Sequence, residues 1–93
     1  MDEPYVITPV SVIRRPGLSD RAKVMFMNLD ARITSTGGQA IRIRTLADDL
    51  GISPRKAHYA LAELREAGLA CPIHDPHRGH ASVWTIVNEA REA

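Results

Sequence analysis

The chain has 93 residues, 44% of them hydrophobic and 25% charged, with a formal net charge of +1 and a single cysteine. That length sustains one domain around one modest core, and the composition excludes a disordered or low-complexity chain. One cysteine excludes an intramolecular disulfide framework and fits a reducing, cytoplasmic setting, and no apolar run approaches the length of a membrane span.

The charges are unevenly placed. Asp2 and Glu3 stand at one end and Glu89 and Glu92 at the other, so between Pro4 and Asn88 eleven Lys/Arg face seven Asp/Glu, a local balance of +4. Ten of the twelve basic residues are Arg, a side chain suited to bidentate contact with phosphate or guanine.

In chain order, YVITPVSVI comes first, and Pro9 and Pro16 break this region into an extended piece with room for one helical turn. LSDRAKVMFMNLDARI then predicts a helix from about Ser19 to Ile33, with Ser19 as N-cap and Asp20 in the favourable first turn. Ala22, Phe26, Leu29 and Ile33 form one apolar stripe, and Val24, Met27 and Ala31 form a second. Two stripes are more than one neighbour covers, so the second is expected against the upstream segment or a second copy of the chain.

After a loop with Gly37 and Gly38, AIRIR alternates like a short strand, with Ile41 and Ile43 on one face and Arg42 and Arg44 on the other. Thr45 is the expected N-cap of a brief helix that carries Leu46, Ala47 and Leu50 inward and stops at Gly51. Ser53 caps the next helix, Pro54 occupies its first position, and the helix is expected to run to about Ala67, ahead of Gly68. GLACPI and ASVWTIV follow as two strands around HDPHRGHA. Trp84 and Ile86 lie on one face of the second strand and Val83, Thr85 and Val87 on the other. Asp75, Pro76 and Gly79 supply turn chemistry, which places His77 and Arg78 at the tip of a hairpin.

At ~100° per residue from Pro54, the residues Ala57, Ala60, Leu61 and Leu64 share one arc, the expected buried face. Arg55, Tyr59, Ala62 and Glu66 lie opposite, flanked by Lys56 and Glu63 on one side and His58 and Arg65 on the other. Cationic and hydrogen-bonding residues fill the first two turns, and the acids come late. A helix that enters the major groove by its N-terminal end has this polarity, because its first turns meet the bases and phosphates.

The stretch TLADDLGISPRKAHYALAELREAGL, with Ala47, Gly51, Ile52, Ala57, Leu61, Leu64, Gly68 and Leu69 in order, resembles the winged helix-turn-helix family of DNA-binding domains. The upstream ITPVSVIRRPGLSDRAK is similar to N-terminal winged-helix modules of plasmid and phage replication or partition proteins. The resemblance implies an α+β fold, a three-helix core with a short strand and a C-terminal β-hairpin wing. Residues 1–17 would pack on or extend a domain of residues 18–88, with a tail at 89–93. It further implies a sequence-specific partner of double-stranded DNA, a transcriptional regulator or a replication or partition factor, acting with a homodimer mate or a further protein of the same complex. The candidate DNA-binding residues are Arg55, Lys56, His58, Tyr59 and Ala62 on the reading helix, Ser53, Thr45 and Arg44 beside it, and His77 and Arg78 in the wing. Arg78 resembles the wing-tip residue that winged-helix proteins place in the minor groove.

Two other readings compete. A winged helix also serves as a protein-interaction module that never reads DNA. Cys71, His74, His77 and His80 offer four potential metal ligands in ten residues, which fits a metal-responsive regulator, but they lack the two separated pairs of a structural zinc unit. No nucleophile elbow, phosphate-cradling glycine loop or paired carboxylates appear, so neither an enzyme nor a cofactor is expected.

Overall fold

The first long helix is built as its sequence dictates. In the computed structural model, which describes residues 10–74 and 81–87, Ser19 turns its hydroxyl to accept from the Ala22 amide at 3.1 Å, satisfying a donor that the first turn leaves unpaired. The helix it caps covers Asp20–Ser35. It is the second element, α2, after a single turn α1 at Val10–Ile13. Ala22, Phe26, Leu29 and Ile33 are buried as the periodicity requires, and Met25 joins them. The second stripe is only partly covered among the described residues: Ala31 is half-buried, and Val24 and Met27 remain 48% and 42% exposed. From the N-terminal side, Val12 of α1 and Leu18 reach the core.

The next segment departs from expectation. The strand β1 is only Ile41–Arg42, and helix α3 already begins at Ile43 and runs to Leu50. Arg42 occupies the N-cap position without a side-chain cap bond, so Thr45 is not the cap but the third residue of the helix, and Arg44 is helical rather than on a strand face. The reason is burial. Ile43, Leu46, Ala47 and Leu50 fall at helical spacing, and all four pack on or in the core, an apolar contribution that outweighs one hydroxyl cap of about 1 kcal/mol.

Helix α4 spans Pro54–Glu66, its start fixed by Ser53, whose hydroxyl accepts from the Lys56 amide at 3.2 Å. Ala57, Ala60, Leu61 and Leu64 are buried against α2 and α3. Past its end Gly68 takes φ 75°, and the Leu69 amide donates to the Leu64 carbonyl at 2.8 Å, turning the chain into the sheet.

Strands β2 (Ala70–His74) and β3 (Ala81–Ile86) complete a three-stranded antiparallel sheet in the order β1-β3-β2. Trp84 pairs with Ile41 on one side and Pro72 on the other, and with Ile86 it faces the core. The register advances evenly from Ala70 opposite Ile86 to Ile73 opposite Val83, then slips so that His74 faces Ala81. Ser82 is thus an extra residue, a bulge that bends the hairpin at its outer end. Strand β2 is an edge. The Val87 amide donates to the Leu69 carbonyl, so by alternation Pro72 turns its nitrogen to the open side. Lacking an N–H there, it blunts pairing with a stray strand.

The C-terminal ends of α2 and α3 are tied by Asp49. Its carboxylate takes a bidentate contact from Arg32, with Nε at 2.7 Å, and a third bond from Asn28 at 3.0 Å. The Arg32 bond is the largest influence and, with that of Asn28, holds the Asp49 carboxyl below its ordinary value of 3.8 against the opposing effect of partial burial. A lowered folded-state value means the contribution is complete at neutral pH and is lost as the pH falls below 3.8. Asp49→Asn should therefore cost about 0.5–1 kcal/mol at pH 7 and less as the pH falls below 3.8, read from urea unfolding at neutral and acid pH.

Candidate nucleic-acid interface

The placement of α4 starts from the turn before it. Gly51 ends α3 in the left-handed region at φ 66°, where its amide bonds back to the last helical turn and the Ile52 amide donates to the Ala47 carbonyl at 3.0 Å. This closure leaves Ile52 half-buried against the core and sets the direction in which α4 departs. A Cβ at Gly51 would meet nothing within 4 Å, so Gly51→Ala carries only the backbone penalty. A loss of about 1–2 kcal/mol in urea unfolding is expected, with the fold retained.

With Ala57, Ala60, Leu61 and Leu64 turned inward, the opposite face of α4 lies open. Arg55, Lys56, His58 and Tyr59 are exposed, and Ala62 is half-buried beside them. Arg55 Nε donates to the Tyr59 hydroxyl at 2.9 Å, and its guanidinium carbon lies 5.7 Å from the Tyr59 ring centroid, within cation–π range. His58 stands edge-on to Trp84, ring centroids 6.4 Å apart, so it marks the border between α4 and the sheet. Among the described residues no carboxylate is in ion-pair contact with Arg42, Arg44, Arg55 or Lys56.

Glu63 is withdrawn from this face. Its two carboxylate oxygens accept from the Ser19 amide at 3.1 Å and the Ser19 hydroxyl at 2.7 Å. In a capping box the N3 residue of the same helix takes the N-cap amide. The third residue of α2 is Ala22, and Glu63 supplies the missing carboxylate from α4. The acid in the middle of α4 is thus spent on bracing α4 to α2 and leaves the front turns cationic.

The structure brings Arg55, Lys56, Tyr59 and Ala62 together on one face, with Ser53 exposed at its head. Arg44 is exposed and Thr45 half-buried in the first turn of α3. His77, Arg78 and His80 lie outside the described residues, as does the His74 side chain. Cys71 is half-buried opposite Thr85 in the hairpin. Among the described residues no three His, Cys, Asp or Glu side chains converge as metal ligands, and no helix is long and apolar enough to cross a membrane. Two features of the face lie beyond the sequence reading. The i, i+4 spacing of Arg55 and Tyr59 is a signal for their pairing; the approach of His58 to Trp84 has none.

Two solved structures of Lactococcus lactis ZitR, one a cysteine-to-serine and the other a glutamate-to-alanine variant, share this arrangement. Their TM-scores are 0.59 and 0.58, at 21% and 19% identity, over 81% and 84% of this chain and 47% and 49% of theirs. The likeness establishes the winged helix-turn-helix fold, and the chain spans about half the length of those structures. No protein-family model and no curated protein matches the sequence.

Proposed function

We propose that this winged helix is a sequence-specific double-stranded DNA-binding protein that regulates transcription, with the N-terminal half of α4 in the major groove. The observation that carries the reading is the open face of α4, where Arg55, Lys56 and Tyr59 stand exposed and the cations have no acidic partner among the described residues. Two turns of unneutralised donors on a helix braced from behind are what phosphates and base edges require. Arg42 and Arg44, exposed at the start of α3, add positive charge for flanking phosphates, and His77 and Arg78, outside the described residues, are the wing candidates for the adjacent groove. A plasmid or phage replication or partition factor would use the same interface.

The exposed Val24 and Met27 on the outer side of α2 support a second reading, in which this face meets protein. A homodimer through it is compatible with DNA reading, since two-fold partners place two reading helices on half-sites one helical turn apart.

Titration of the protein against short duplexes at several salt concentrations tests the proposal. Affinity should fall linearly with salt on a log–log plot, with a slope of about −0.9 per phosphate contacted. Absence of binding at low salt would remove DNA as the partner and leave the protein-contact reading.

A further inference from the structure

Arg55 and Lys56 are adjacent cations on the first turn of α4, yet they are held differently. Lys56 has no side-chain partner among the described residues, so its ammonium is a mobile point charge of the kind that follows phosphate. Arg55 is anchored: Nε donates to the Tyr59 hydroxyl at 2.9 Å, and the guanidinium lies near the aromatic ring. Nε is the one guanidinium N–H that lies off the terminal fork. With Nε committed, the two terminal nitrogens remain for a partner, and one N–H of each points outward in parallel, in the guanidinium plane that the bond to Tyr59 helps to hold. That fork matches the O6 and N7 acceptors of guanine in the major groove, the commonest specific contact of arginine with a base. Preorganisation also removes part of the rotamer entropy that a long side chain loses on binding.

We infer that Tyr59 is a positioning residue that holds Arg55 for bidentate reading of guanine, so that the target duplex carries a G·C pair under the N-terminal end of α4. This rests on the DNA-reading proposal above. It assigns the base-reading role to Arg55 and leaves the neighbouring Lys56 to the backbone. Arginine fixed in this way discriminates more sharply than lysine at the same site, whose ammonium is a point charge without a planar fork.

The test is selection from a duplex pool with a randomised centre, using the whole chain, followed by affinity measurements on the selected duplex and on copies with that pair changed. The wild type should enrich guanine at a fixed position. Tyr59→Phe, which keeps the ring and removes only the hydroxyl, should reduce the preference for guanine there about two- to tenfold. Its salt slope should stay unchanged, because no phosphate neutralisation is lost. Arg55→Lys should lower the same preference by about tenfold or more. Undiminished guanine preference in Tyr59→Phe, or enrichment of a pool without a fixed guanine, overturns the inference while DNA binding stands. A wild type that binds no duplex at low salt removes the parent reading and this one together. A general loss of affinity in Tyr59→Phe with unaltered base preference assigns the residue to the backbone and overturns the positioning role.

Discussion

Replacing Arg55 and Lys56 together by alanine should weaken duplex binding by about thirtyfold to a thousandfold near 0.1 M salt, combining a base contact of about 1–3 kcal/mol with a released counterion. The log–log salt slope should become shallower by about 1 to 2, because up to two phosphate neutralisations disappear. Both side chains are exposed, and among the described residues the replacement breaks only the bond from Arg55 to the Tyr59 hydroxyl and the stacking beside it. Unfolding in urea should therefore shift by no more than about 0.5 kcal/mol. That separation makes the variant informative: it strips the chemistry from α4 while Ser53, Pro54 and the Gly51 turn keep the helix in place. A double variant that binds as tightly as the wild type would move the interface to another face.

The second large effect lies in the core. Phe26 is fully buried at the middle of α2, which packs on α4 and the sheet, and Phe26→Ala should cost about 3–5 kcal/mol in urea unfolding. A domain of this length is stabilised by roughly 5–14 kcal/mol in total. The variant should thus be marginal at 25 °C, and its DNA affinity should fall with the folded fraction instead of through the salt slope. Met27 is one residue away but 42% exposed, so Met27→Ala should leave stability within about 0.5 kcal/mol. Similar costs at the two positions would mean that α2 is rotated from the placement described.

Where signals are local, the sequence and the structure agree. Ser19 and Ser53 cap the helices they precede, Gly51 supplies the left-handed turn, and Ala57, Ala60, Leu61 and Leu64 form the buried face of α4. Each needs only neighbours within one or two turns. The start of α3 differs from expectation because a favourable cap at Thr45 and an alternating AIRIR compete with a four-residue apolar series beginning at Ile43. The series wins only once there is a core to receive it. The bulge at Ser82 depends on how β2 and β3 count against each other, and the bond from Ser19 to Glu63 spans 44 positions; neither has a local signature. The same distinction governs the site. The polarity of α4 is legible from helical geometry, whereas the withdrawal of Glu63 behind it depends on where α2 begins in space. His77 and Arg78 lie outside the described residues.

The claim that α4 reads DNA is tested most directly by mapping backbone amide shifts of the whole chain as a short duplex is added. The largest changes should fall between Ser53 and Ala62, with smaller ones at Arg42 and Arg44, and little at Val24, Met27 and Ala31. Changes concentrated on the outer stripe of α2, with the amides from Ser53 to Ala62 unmoved, would contradict it.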